Sequence, residues 1–219
     1  AGGKTDLVAQ SGAMKSVVEW IGRAASSTST VLVTGATGTG KEVVARTIHR
    51  QSAAGEEPFL GVNLAAVPPT MVESELFGHE KGAFTGADRR REGILRAAGN
   101  GTVFIDELAE MPLSLQAKLL RTLESREVRA LGSDRSVHFA ARLIAATHRD
   151  LKVMISEGTF REDLFYRLNV VQIALPDLKD RAEDIPILVH DLLQRHAAKQ
   201  GLQAPIVTSE AMRALCAHS

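Results

Sequence analysis

The sequence predicts an α/β fold: a five-stranded parallel sheet between layers of helices, followed by a smaller, purely helical part. Three observations predict it. Short apolar runs alternate with helical segments, as in βαβ units whose parallel strands are buried on both faces. A glycine-rich loop, Gly35-Ala36-Thr37-Gly38-Thr39-Gly40-Lys41-Glu42, joins the first apolar run to the helix after it. A later run, Thr102-Val103-Phe104-Ile105, ends in Asp106 and Glu107. That places two carboxylates beyond the carboxyl end of a strand, where open parallel sheets bind ligands.

In chain order, residues 13–25 carry Met14, Val17, Val18 and Ile21 at the spacing of one helical face. A polar connector over 26–30 leads into the first strand, 30–34, and beyond the glycine loop Val43, Val44 and Ile48 continue a helix to about Ser52. Residues 58–63 predict a second strand and 71–77 a short helix ending at Gly78. Gly82-Ala83-Phe84-Thr85-Gly86-Ala87 follows, small residues around one aromatic. After the strand at 102–106, Pro112 opens a helix with Leu115, Leu119, Leu120 and Leu123 on its apolar face; the missing N–H of proline costs little in a first turn. Residues 128–139, centred on Gly132-Ser133-Asp134, predict a hairpin. A strand over 142–147, a helix over 151–157 and a fifth strand over 170–175, closed by Pro176, complete the alternation. From there 185–200 and 209–217 are helical only. The organisation expected is therefore 7–176 for the α/β part and 177–219 for a partial helical part, with 1–6 a disordered start or tag remnant.

Composition narrows the function classes. The 26 basic residues balance the 26 acidic ones, so the chain as a whole lacks the electrostatic footprint of a nucleic-acid binder. The one cysteine, Cys216, forms no internal disulfide and reads as a small apolar residue near a helix end, which suits a reducing cytosol. No apolar run approaches the length of a membrane span, and residues 1–4 carry no hydrophobic signal region. A cytoplasmic protein without a membrane partner is the expectation.

The candidate chemistry sits at strand ends. Residues 35–42 match the phosphate-cradling pattern, in which glycines let successive N–H groups converge at a helix N-terminus and a lysine adds a point charge. Glu42 dissents, because a hydroxyl residue usually follows the lysine to ligate magnesium. Asp106 is the candidate magnesium ligand and Glu107 the group that orients or deprotonates the attacking water; the plain alternative is a strand that ends in two solvated acids. Asn63, ending the second strand, reads either as a partner for Glu107 or as a turn residue. Thr147 and His148 end the fourth strand within reach of a terminal phosphate, or in a solvated loop. Arg161 and Arg167 flank a short helix, where surface ion pairing and donation to a neighbouring subunit's phosphate are both open. The run Arg89-Arg90-Arg91 reads first as a solvated face.

Four segments together resemble one family. They are the glycine loop, Glu75-Leu76-Phe77-Gly78-His79-Glu80-Lys81 with the 82–87 string, Phe104-Ile105-Asp106-Glu107, and Phe160-Arg161-Glu162-Asp163-Leu164-Phe165-Tyr166-Arg167-Leu168-Asn169. They look like the central AAA+ P-loop NTPase domain of bacterial enhancer-binding proteins, the NtrC-class activators of sigma-54 RNA polymerase. The 82–87 string is its most specific part, and glutamate after the lysine is this family's habit, so Glu42 becomes support. The resemblance implies an ATPase using ATP and Mg2+, with Gly35, Ala36, Thr37, Gly38, Thr39, Gly40, Lys41, Glu42, Asp106, Thr147 and His148 at the nucleotide and Asp106 on the metal. It implies Glu107 activating water under restraint from Asn63, and Arg161 and Arg167 reaching into a neighbour's site in a hexameric ring. Gly82, Ala83, Phe84, Thr85, Gly86 and Ala87 would engage the sigma-54 holoenzyme, assisted by the hairpin around Gly132. The helical part would be an incomplete lid subdomain lacking the family's Gly-x-x-Arg sensor, and DNA would be met only through a helix-turn-helix domain outside these residues. The competing readings are a nucleotide-dependent interaction module and a protein-remodelling ATPase of another class.

Overall fold

A computed structural model describes residues 7–218; the expectation for 1–6 lies outside the described residues. Along the chain run α1 (Gly12–Ala25), β1 (Val31–Thr34), α2 (Lys41–Gln51), β2 (Phe59–Asn63), α3 (Pro69–Phe77), β3 (Gly78–His79), β4 (Arg91–Glu92), α4 (Ile94–Ala97), β5 (Thr102–Asp106), α5 (Leu113–Ser125), β6 (Glu127–Arg129), β7 (Ser136–His138), β8 (Arg142–Thr147), α6 (Leu151–Ser156), α7 (Glu162–Leu168), β9 (Val171–Ala174), α8 (Ile185–Gln200) and α9 (Ser209–His218). Five strands form one parallel sheet in the order β2-β5-β8-β1-β9.

Successive residues of a strand point to opposite faces, and here each face has its own core. Leu32, Val103, Ile105, Leu143 and Ala145 enter a layer with Leu76 of α3, Leu119 of α5 and Leu164 of α7. Their neighbours Val31, Val33, Phe104, Ile144 and Ala146 enter the other, with Met14 and Ile21 of α1 and Val44 and Ile48 of α2. Burial on both sides explains why the strands read as unbroken apolar runs rather than alternating ones.

Strand order decides where the chemistry falls. Register pairs Asn63 with Asp106 across β2 and β5, and Thr34 with Thr147 across β1 and β8. The carboxyl ends of four strands from distant parts of the chain therefore stand in one row.

Several elements differ from the sequence expectation. The chain between α3 and β5 forms a two-stranded antiparallel ribbon, β3 with β4, and the short helix α4, none of them marked by periodicity. The hairpin forms as β6 paired with β7. Residues 178–184, at the start of the expected helical part, do not stand apart from the α/β part. Asp184 is fully buried and accepts from the backbone N–H of Gln10 at 2.7 Å and of Ser11 at 2.8 Å, and from the Ser11 hydroxyl at 2.8 Å. Ser11 in turn caps α1 through Met14 N–H. Among the described residues no helix is long and apolar enough to cross a membrane.

Candidate functional site

The loop after β1 needs its glycines. Gly35 has φ +152°, and a Cβ there would stand 3.0 Å from Leu175 Cβ and from Thr39 Oγ1, so backbone and not side chain must occupy the turn. Gly40 caps α2 without a side-chain hydrogen bond, which leaves the helix's first N–H groups facing the loop's concavity. Lys41, buried at the first helical position, folds back so that Nζ donates to the carbonyls of Gly35 at 3.0 Å and Ala36 at 3.1 Å. Its charge is thereby stored over the loop. Glu42 points outward and pairs with Arg46 at 2.7 Å, one helical turn on.

Asp106 faces this loop from the end of β5. Burial raises its pKa from the ordinary aspartate value, with the Glu107 and Glu42 carboxylates adding to the rise and the Glu107 N–H and the Lys41 charge opposing it. Glu107 leaves the strand at φ 52°, ψ 49°, a left-handed conformation costing roughly 1 kcal/mol in a residue with a Cβ. Neighbouring strand residues would point to opposite faces; this turn brings both acids to one pole.

The restraint on Glu107 differs from expectation. Asn63 Nδ2 donates to Asp106 Oδ2 at 3.2 Å, and Asn63 Oδ1 accepts from Ala65 N–H at 2.9 Å. The residue that meets Glu107 is His148, with Nδ1 2.6 Å from Oε2. Register explains this: Asn63 is paired with Asp106, whereas Glu107 has turned away toward the end of β8. Thr147, fully buried, accepts the Arg149 N–H at 3.1 Å and so shapes the turn that carries His148.

A cavity of about 610 Å3 opens beside the glycine loop, lined by Thr37 and Gly40, by Leu7 and Val8, and by Ile185 and Leu188 of the helical part. Arg181 also lines it, donating from Nη2 to Thr39 O at 2.7 Å. Sequence reading does not single out Leu7, Val8, Arg181, Ile185 or Leu188, because which surface such a residue will line depends on contacts far along the chain. Among the described residues no cluster of three or more His, Cys, Asp or Glu is arranged to hold a metal. A magnesium ion held by Asp106, phosphate oxygens and water needs no such cluster, so the residues fit it.

The remaining candidates stand away from this pole. Arg161 begins α7, with its N–H donated to Gln116 Oε1 at 2.9 Å and its guanidinium on Asp163 at 2.6 Å. That contact raises the Arg161 pKa and lowers that of Asp163. Arg167 ends α7 and donates to Leu123 O at 2.9 Å. Residues 82–87 form the tip of the β3–β4 ribbon, closed by Gly82 N–H to Ala87 O at 2.9 Å. Within the basic run, Arg90 pairs with Glu80 at 3.3 Å and Arg91 chelates Glu75, so two of its three charges are neutralised locally.

Known proteins resemble this chain in sequence and fold. Residues 7–174 match the family described as the sigma-54 interaction domain. The regulatory protein AtoC of Escherichia coli K12 is 47% identical over 213 residues, which is 97% of this chain and 46% of AtoC. The transcriptional regulator NtrC of the same strain is 46% identical over 214 residues, 98% of this chain and 46% of NtrC. NtrX from Brucella abortus, solved in complex with ATP, superposes with a TM-score of 0.88 at 41% identity, over 98% of this chain and 48% of NtrX. The chain spans about half the length of the curated relatives it matches, 46% in both cases. With a match across most of its length, the chain belongs to the sigma-54 interaction domain family, the AAA+ P-loop NTPase domain of NtrC-type transcriptional activators.

Proposed function

We propose that this domain hydrolyses ATP with Mg2+ as a ring, usually of six copies, and uses the cycle to remodel sigma-54 RNA polymerase through residues 82–87. The observation that carries the hydrolytic part is the facing of two strand ends: the glycine loop with Lys41 at the end of β1, and Asp106 with Glu107 at the end of β5. In this reading the loop amides cradle the phosphates, and Lys41 exchanges the carbonyls of Gly35 and Ala36 for phosphate oxygens. The metal supplies charge neutralisation and orientation of the phosphate chain, and Asp106 would hold it. Glu107 accepts the proton of the attacking water once it parts from His148. Thr147 and His148 report the state of the terminal phosphate from the end of β8. Arg161 and Arg167, at the two ends of α7, are lent to the neighbouring subunit's site, where each stabilises charge that develops on the transferred group.

Two experiments test it. Glu107→Gln is expected to bind ATP with near-normal affinity while turnover falls by about two orders of magnitude or more, the usual worth of a positioned base; normal turnover would remove Glu107 from that role. For the lent arginines, Lys41→Ala and Arg167→Ala proteins, each inactive alone, are mixed. Activity recovered in the mixture supports donation between subunits, because the first protein still carries Arg167 and the second still carries Lys41. No recovery under conditions where mixed rings form would reject it.

A further inference from the structure

His79 is buried at 7% exposure, yet no step of hydrolysis uses it. It lies three residues before the 82–87 loop, in β3, and its ring is fully engaged. Nδ1 lies 2.7 Å from Ser74 Oγ on α3, and Nε2 lies 2.9 Å from the backbone carbonyl of Arg89, just past the loop. A carbonyl only accepts, so Nε2 carries the proton and donates to Arg89 O. In the Nε2–H tautomer Nδ1 accepts from the Ser74 hydroxyl. With Nε2–H on the Arg89 carbonyl and Nδ1 on the Ser74 hydroxyl, the ring meets both partners at once and ties both feet of the loop to α3.

The same ring also holds the loop's aromatic. The Phe84 ring meets His79 edge-on, with centroids 4.9 Å apart and planes at 67°, an attractive geometry for two aromatics. Phe84 nevertheless keeps 36% of its surface exposed. From the other side the hairpin braces the ribbon: Glu80 N–H donates to Leu131 O at 3.0 Å, and Leu131 N–H donates to Gly78 O at 2.9 Å. The 3-10 turn Leu64–Ala66 and then α3 follow Asn63, which is bonded to Asp106, so the element that His79 grips begins at the nucleotide pole.

We propose that His79 is the positioning residue of the 82–87 loop: its imidazole staples the loop to α3 and sets the attitude in which Phe84 is presented to a partner. This rests on the reading that the loop engages sigma-54, but its structural half stands without it. His79 touches neither nucleotide nor metal, so its loss leaves hydrolysis in place and uncouples it from the loop.

The test uses Trp20→Phe with Phe84→Trp, which moves the chain's one tryptophan into the loop. In that background His79→Phe keeps a ring but removes both hydrogen bonds, His79→Gln keeps a donor for Arg89 O, and Ser74→Ala removes the α3 arm alone. Expected are a rise of about twofold or more in acrylamide quenching of the loop tryptophan for His79→Phe, a smaller rise for Ser74→Ala, and partial restoration by Gln. Nitrogen-15 spectra of the imidazole are expected to show the Nε2–H tautomer in the parent protein. With Phe84 intact, His79→Phe should hold ATP turnover within about twofold while capture of sigma-54 in a transition-state-analogue complex falls about tenfold, roughly 1.4 kcal/mol. Unchanged quenching, the Nδ1–H tautomer, or full sigma-54 capture by His79→Phe would each overturn the proposal. If the parent protein itself captures no sigma-54, the partner reading fails, and quenching and tautomer still decide the staple. Should His79→Phe not fold, Ser74→Ala and His79→Gln carry the same comparison.

Discussion

Gln116 offers a test of how the α7 arginines are held. It is fully buried on α5 and makes three hydrogen bonds: Nε2 donates to Met111 O at 2.8 Å and to Thr159 O at 3.2 Å, and Oε1 accepts the Arg161 N–H at 2.9 Å. Replacing it by leucine, close in volume, leaves two carbonyls and one N–H without these partners. A buried polar group stripped of its partner costs about 1–3 kcal/mol. The 159–161 segment is partly exposed and can recruit water, so about 1 kcal/mol for each of three groups is the appropriate end of that range. Better burial of leucine returns up to about 1 kcal/mol, leaving a loss of about 2–3 kcal/mol. At about 2–4 °C per kcal/mol for a chain of this size, Tm should fall by about 4–12 °C. Urea denaturation in the absence of nucleotide gives the free energy directly, and turnover gives the functional half. The loop that begins α7 loses its anchor, so turnover should fall in the direction of Arg161→Ala while ATP binding to the glycine loop is kept. A stability loss below about 0.5 kcal/mol together with normal turnover would refute the reasoning.

Two further perturbations probe separate parts of the structure. Gly132 has φ +72°, and a Cβ there would stand 2.9 Å from Ala83 Cβ, so Gly132→Ala should cost about 2 kcal/mol in urea denaturation and disturb the base of the 82–87 loop; a neutral result would mean the hairpin tip yields freely. In the metal-free protein, burial holds the Asp106 pKa above its unfolded value, so the folded state binds that proton more tightly and stability falls as pH rises from the unfolded carboxylate value through the raised folded one. Asp106→Asn should therefore match or exceed the parent's Tm at pH 7.5, with the gap closing toward pH 4, while turnover is lost; a lower Tm at pH 7.5 would contradict it.

Much of this architecture was legible in local pattern. Unbroken apolar runs such as Leu143 to Ala146 marked strands covered on both faces, and the glycine loop and the Asp106–Glu107 pair identified themselves by residue type at strand ends. What stayed hidden depended on partners far along the chain. The contact of Asp184 with Ser11 spans 173 residues, and the acid carries no local sign of its burial. The partner of Glu107 could not be read from spacing, because Asn63 and His148 both end strands adjoining β5; only register and the left-handed turn at Glu107 separate them. The β3–β4 ribbon has two-residue strands, too short for any period to show. In the sequence Gln116 is one polar residue among leucines, and its three backbone partners belong to loops.

The close approach at Gly35 ties the glycine loop to the edge of the sheet. The glycine's backbone lies against Leu175, whose N–H donates to Thr34 O at 2.7 Å, so the start of the phosphate loop leans on the end of β9. At its other end β9 emerges from α7, and the Thr30 hydroxyl donates to Arg167 O at 3.0 Å. The glycine loop proposed to cradle the nucleotide and the helix carrying the arginines proposed for the neighbour thus share one short strand. In the ring proposed above, the glycine loop of one subunit and the arginines proposed for its neighbour would be joined through β9.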